Sequence, residues 1–304
     1  MRDRRALSRS VGGRLGWPSL LTALLLVPAH AVRAQAPDVA PPAPAQAAPP
    51  PAAPETQAAP ETTAAPATAC AKIWLGHEAE FEELLRTANV TEVKRIEIGV
   101  TRPRCAYVEP GLPFKRMAWK TLKPGMYRGF YESYRSEIAA YELDKLLGLG
   151  MVPPGVERRI NGEVGAAILW VENVKGWDLK NPVSGPDKTA SARQSVRLKM
   201  FDQLCGQIDR NQGNLLYDSE FHLILIDHSR TFREVVDLNQ YARPLFIDAE
   251  LWERMQALTM EMMEPTVGKW VSKGMLYAVL DRRNRMKREI DKLLAARGPS
   301  IWLR

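Results

Sequence analysis

Asp209-Arg210-Asn211-Gln212-Gly213-Asn214, then Ile226-Asp227-His228 with Asp227 thirteen residues beyond Asn214, is the stretch on which the reading of this chain turns. It supplies a carboxylate, a side-chain amide five residues on, and a second carboxylate at the end of an apolar run. Phosphoryl transfer needs little covalent help from a protein. It needs a carboxylate beside the attacking hydroxyl and oxygen ligands for a metal on the phosphates. In that reading Asp209 is the base or orienter, and Asn214 and Asp227 hold the metal, with oxygen ligands suiting Mg²⁺ or Mn²⁺. Each residue alone has a plainer explanation: Asp209 as a turn cap, Asn214 in a left-handed turn, Asp227 as a strand end. The set at this spacing carries the functional reading.

Working outward, a helix is predicted over Ala190 to Ile208, with Phe201, Cys205 and Ile208 on one stripe. Between the two motifs lies a hairpin: Leu215 to Tyr217, a turn at Asp218-Ser219, and Phe221 to Ile226. From Asp248 onward the chain reads as helices. Upstream, His77 to Thr87 is a short amphipathic helix, and Lys94 to Val100, Cys105 to Glu109 and Arg116 to Leu122 are strand-like. A helix over Ser133 to Leu149 puts Ala139, Leu143, Leu146 and Leu147 on one face, and Gly148, Gly150 and Pro153-Pro154 stop it. Gly155 to Ile160 and Gly165 to Glu172 are strands, with Asn161-Gly162 the turn between them. A strand-rich half thus precedes a helix-rich half, an α+β arrangement of two lobes, 70–172 and 173–304.

Lys120, on the strand-like run Met117 to Thr121, and Glu137, early in the following helix, form the next pair. A strand lysine paired with a helix glutamate is how many kinases hold a nucleotide's phosphates. The plainer readings are a solvated lysine and a glutamate favoured by the helix dipole. Lys115 and Lys123 are close enough in sequence to compete with Lys120.

Ser136-Glu137-Ile138-Ala139-Ala140-Tyr141-Glu142-Leu143-Asp144-Lys145-Leu146-Leu147 followed by Val152-Pro153-Pro154 resembles the helix segment of the four-jointed and Golgi casein kinase family. Those are secretory-pathway kinases that phosphorylate proteins or sugars using ATP and Mn²⁺ or Mg²⁺. The Asp209-Arg210 to Asn214 loop is similar to the Asp-Arg-x-x-x-Asn loop of phosphatidylinositol 3- and 4-kinases, and Ile226 to Phe232 resembles the metal-binding segment of both. The resemblance covers roughly residues 95–235 and implies a two-lobed protein-kinase-like fold. By it, Lys120 contacts phosphates, Glu137 pairs with Lys120 or reaches the metal, Asp209 is catalytic and Asp227 binds metal. Leu169-Trp170-Val171-Glu172 falls at the hinge, where the backbone of Val171 and Glu172 would meet adenine. The sequence departs from the pattern twice. Only Ile98-Gly99-Val100-Thr101 stands where a glycine-rich loop belongs, and His228 follows the metal aspartate where lipid kinases usually have Phe.

The formal charge of +7 gives little sign of a nucleic-acid partner, because residues 1–34 carry six Arg and one Asp and leave about +2 for the rest. Those 34 residues run from basic to apolar (Trp17 to Val27) to small, the order of a secretory signal. The apolar run is too short for a membrane span, which needs about 20 residues. Export with signal cleavage after Ala31 or Ala34, leaving no transmembrane segment, is the expectation. Residues 35–69 hold ten of the 23 prolines and hardly a branched or aromatic residue, which predicts a disordered spacer. Of the three cysteines, an odd count that fixes no pairing, Cys70 and Cys105 could close a disulfide in an oxidising compartment, and Cys205 reads as a buried thiol. No Cys or His spacing marks a metal site; His77, His222 and His228 stand apart. The Met260-Glu261-Met262-Met263 cluster and Met200 read as core, and Arg282 to Arg288 as a solvated basic face. The function expected is a metal-dependent transfer of the γ-phosphate of ATP to a hydroxyl on a protein, sugar or lipid-linked acceptor. The alternative is an inactive nucleotide- or phospho-ligand-binding module of the cell envelope.

Overall fold

The structure, a computed structural model, describes residues 70–96, 104–177, 185–238 and 244–304. The predicted signal, the spacer and Ile98 to Thr101 lie outside them. The described residues fall in one compact unit, Thr63–Arg304.

Helix α1 (Glu78–Thr87) buries Phe81 and Leu85, exposes Glu80 and Glu83, and sets Glu82 to accept from Tyr141 and Lys145. A five-stranded antiparallel sheet follows, formed by β1 (Val90–Arg95), β2 (Arg104–Val108), β3 (Arg116–Lys120), β6 (Gly155–Ile160) and β7 (Glu163–Leu169) in the order β1-β2-β3-β7-β6. The turn between β6 and β7 is at Asn161 and Gly162, both at positive φ, as a two-residue hairpin of this kind requires. Trp74, Phe81 and Leu85 pack with Met117, Trp119, Val156 and Leu169 to close one apolar cluster.

Between β3 and β6 the chain makes a small hairpin, β4 (Gly125–Tyr127) and β5 (Phe130–Glu132), and then α2 (Tyr134–Leu146). The Oγ of Ser133 caps α2 by accepting from the backbone N–H of Arg135 at 3.0 Å. The sequence predicts one apolar face; instead both faces are covered. Ile138 and Tyr134 pack against Ala166 of the sheet, while Ala139, Leu143 and Leu147 join the apolar cluster of the helical half. After α2, the Asp144 carboxylate accepts from the N–H groups of Gly150, Met151 and Val152 at 2.9–3.0 Å, which fixes the turn leading to Pro153-Pro154.

The helical half holds α3 (Lys188–Cys205), α4 (Ala249–Ala257), α5 (Met260–Met263) and α6 (Lys273–Arg297). A small sheet of β8 (Lys175–Gly176), β9 (Leu215–Tyr217) and β10 (Leu223–Leu225) lies beside them, and β11 (Ile247–Asp248) pairs in parallel with β12 (Trp302–Leu303) near the C-terminus. Strand β10 is buried along its whole length. Its alternation sends Ile224 into the first cluster and Leu223 and Leu225 into the second, so the strand that leads to Asp227 is gripped by both cores.

Three expectations are corrected. Cys70 and Cys105 are free thiols, because Cys105 lies on β2 in the sheet while Cys70 sits beside Asp218 and His222. Arg282 is not solvated: it is 1 % exposed, and its guanidinium donates to the carbonyl of Leu204 in the last turn of α3 and to those of Arg233 and Val235. It packs on Gly206, whose φ of 72° ends α3 and where a Cβ would lie 2.9 Å from Arg282 Cζ. Of the methionine cluster, Met263 is buried while Met262 is 41 % exposed. Cys205 is buried, and burial pushes its thiol up to about 12.

Candidate active site

Lys120 ends β3, Glu137 lies in the first turn of α2, and Asp227 follows β10; the fold brings the three together. Lys120 Nζ donates to Glu137 Oε1 at 2.6 Å and to Asp227 Oδ1 at 3.0 Å. Gly165, beside Lys120 on β7, allows the strands to approach, since a Cβ there would run into the Lys120 carbonyl. The other oxygen of Glu137 accepts from the backbone N–H of His228 at 2.9 Å. Lys115 and Lys123, the competing lysines, are not part of this pair.

Asp227 has φ of 60°, a left-handed conformation unusual for a residue with a Cβ. It is held there by Ser229 Oγ, which donates to Oδ1 at 3.1 Å, and by Gln207 Nε2, which donates to the Asp227 carbonyl at 3.0 Å. Gln207 also accepts from the Asp209 N–H at 2.9 Å, so one fully buried side chain ties both aspartates. Asn214 lies in a short 3₁₀ turn, and its Nδ2 donates to the Asp209 carbonyl at 2.9 Å.

Arg210 is the hub beneath the loop. Its guanidinium forks onto Asp202 with two 2.9 Å bonds, donates to the carbonyls of Asn214 and Ile226, and reaches His228 Nε2 at 2.9 Å. That contact makes Nε2 of His228 the acceptor. Burial, with Arg210 and Lys120 nearby, holds the imidazole well below its usual pKa, so it is neutral. Arg230 spans the mouth: it donates to Glu132 at the end of β5, to Asp209 Oδ2 at 3.0 Å, and stacks over Phe130 at 4.6 Å.

The charges are uneven. Burial works against the Lys120 ammonium, but Asp227 and Glu137 outweigh it and raise its pKa. Burial raises Glu137 despite the lysine, whereas the Lys120 charge draws Asp227 well below the aspartate range. One ammonium thus faces two carboxylates, and Gln207 ties Asp227 to the loop that carries Asp209 and Asn214. The donors are all oxygens, which fits a hard divalent cation. Since Asp227 has a lower pKa in the folded chain than in the unfolded one, its contribution to stability is complete above the ordinary value near 3.8 and is lost as pH falls below it. Wild type should therefore lead Asp227→Asn by a constant margin above about pH 5, and that margin should shrink in acid-denaturation curves below pH 4.

At the expected hinge, Val171 is buried in the first apolar cluster. The Glu172 carboxylate is taken by Arg116 in two 2.9 Å bonds, and Arg116 stacks on Trp170. Only backbone remains at Glu172 for a base to meet. Sequence reasoning gave no role to Gln207, Asp202, Arg230 or Glu132. Arg210 stood inside the quoted motif, and the arginine three residues after Asp227 was the one signal for Arg230.

No protein-family model and no curated protein matches the sequence. Among solved structures, the Golgi casein kinase superposes with a TM-score of 0.59 over 74% of this chain and 79% of its own, at 13% identity. The fold is kinase-like. The Golgi casein kinase with Mn/ADP bound gives a TM-score of 0.56 over 74% and 78% of the two chains, also at 13% identity. Hydra Fam20 with sugar gives 0.58 over 74% and 91%, at 14% identity. Within this kinase-like fold, Lys120 and Glu137 come from the strand-rich lobe, and Asp209, Asn214 and Asp227 from the helical one.

Proposed function

We propose that the chain is a metal-dependent phosphotransferase that moves the γ-phosphate of ATP to an alcohol acceptor. The observation that carries this is the Lys120 ammonium held between Glu137 and Asp227, with Asp209 and Asn214 tied to the same spot through Gln207 and the Asp209 carbonyl. Lys120 would bind phosphate oxygens, with Glu137 keeping it in place. Asp227 and the amide oxygen of Asn214 would hold Mg²⁺ or Mn²⁺, which when bound neutralises charge on the phosphates. Asp209 would orient the acceptor hydroxyl and take its proton. Backbone at Val171 and Glu172 would meet the adenine. The Asp-Arg-x-x-x-Asn spacing supports placing base and metal ligand on one loop. The Golgi casein kinase of similar fold, seen with Mn/ADP, supports the same cofactors.

The acceptor class stays as wide as protein, sugar or lipid-linked hydroxyl. Among the described residues no helix is long and apolar enough to cross a membrane. The basic, apolar and small order of residues 1–34 supports export. A second reading, a module that holds nucleotide without turnover, is favoured by one observation: Arg230 already occupies Asp209 Oδ2. Incubation with γ-labelled ATP and Mn²⁺ separates the two. Label passing to a hydroxyl acceptor, and only with metal present, is the expected result; binding without transfer would leave the second reading standing.

A further inference from the structure

Away from that site, the fold gathers three groups that the sequence scatters. Cys70, Asp218 and His222 each offer a ligand atom, and these atoms all lie within 4.8 Å of one another. Asp218 occupies the turn between β9 and β10 and is 4 % exposed. Its Oδ1 accepts from the N–H groups of Glu220 and His222, and its Oδ2 accepts from the N–H of Ala71 at 2.9 Å, across 147 residues of chain. Burial would raise this carboxyl, but the N–H groups of Ala71 and His222 and the His222 ring hold it below the usual range, and His222 Nδ1 donates to its Oδ2 at 2.9 Å. Glu220 Oε2 stands 3.9 Å from the same nitrogen. Lys72 is buried nearby, where burial lowers its pKa against the pull of Asp144, Cys70 and Asp218.

We propose that Cys70, Asp218 and His222 form a binding site for a single borderline divalent metal ion of the zinc class, with Glu220 or water as the fourth ligand. Thiolate, imidazole and carboxylate on one ion is a donor set that Zn²⁺ or Co²⁺ takes and Mg²⁺ does not. The metal enters where the proton now bridges Nδ1 and Oδ2. The imidazole proton moves to Nε2, and the Cys70 thiol releases its proton to water as the sulfur–metal bond forms. Bond lengths of about 2.0–2.3 Å need ligand atoms roughly 3.3–3.8 Å apart, so the His–Asp contact opens slightly and Cys70 closes in. Cys70 and the half-exposed His222 and Glu220 leave a path from solvent. The ion would pin Cys70 to the hairpin that carries Asn214 at one foot and Asp227 at the other.

The full chain, stripped with a chelator, is titrated with Co²⁺. One equivalent is expected to give a thiolate-to-cobalt charge-transfer band that Cys70→Ser and His222→Gln abolish and Asp227→Ala retains. Zn²⁺ at about 100 times its Kd should raise the unfolding midpoint of the wild type by roughly 5–10 °C and leave Cys70→Ser unmoved. Should a variant fail to fold, alkylation decides on the wild type: bound Zn²⁺ is expected to protect Cys70 at least tenfold. Absence of the band, its survival in Cys70→Ser, or equal alkylation with and without Zn²⁺ would each overturn the site.

Discussion

Asp209→Ala is expected to lower metal-dependent phosphate transfer by about 10²–10⁴-fold while leaving nucleotide binding unchanged, the range in which positioned general bases act. The split follows from the geometry. The Asp209 carboxylate bonds to Arg230 at the mouth of the site, and only its backbone contacts Asn214 and Gln207. Truncating the side chain therefore leaves the loop's internal bonds intact, with Arg230 still anchored on Glu132. Single-turnover transfer and a thermal shift with nucleotide and metal read the two quantities separately. Transfer by Asp209→Ala at the wild-type rate would remove this residue from the chemistry.

Arg210→Ala should cost about 3–5 kcal/mol of stability, the usual loss on breaking a buried ion pair from one side. The guanidinium is 9 % exposed and Asp202 2 %. Its removal strands that carboxylate and frees the carbonyls of Asn214 and Ile226, which lie on the two segments bearing the metal ligands. For a domain of this size the midpoint should fall by roughly 6–20 °C in calorimetry. Arg210→Lys should recover only part of this, because an ammonium cannot fork onto Asp202 while reaching His228. A loss below about 1 kcal/mol would show that the hub does not bear on the fold.

What the sequence revealed and what it hid divide along physical lines. Lys120 and Glu137 were visible because each sits on an element with its own local signal: a strand of alternating burial and a capped helix. The Asn161-Gly162 turn was visible because its residues favour positive φ. The β4–β5 hairpin was not, since its strands are three residues long and its turn is Arg128-Gly129, with an arginine at φ 50°. The reach of Arg230 to Glu132, 98 residues away, follows no periodicity at all. The second buried face of α2 offers the sequence only Tyr134 and Ile138 as apolar positions, and Ser136, Glu137 and Asp144 are buried polar groups that a pattern of apolar positions cannot register. Three cysteines in the sequence fix no pairing, and nothing local shows that Cys70 lies at the turn of the β9–β10 hairpin, away from Cys105 on β2.

A nucleotide site that depends on a metal held by Asp227 should show in the thermal shift of the full chain with ATP and Mn²⁺ or Mg²⁺. At about 100 times its Kd the ligand adds roughly 2.7 kcal/mol, or about 5–10 °C for a domain of this size. The wild type is expected to show that shift only with metal present, and Asp227→Ala to lose it. No shift with any nucleotide, or the same shift in Asp227→Ala, would contradict that site.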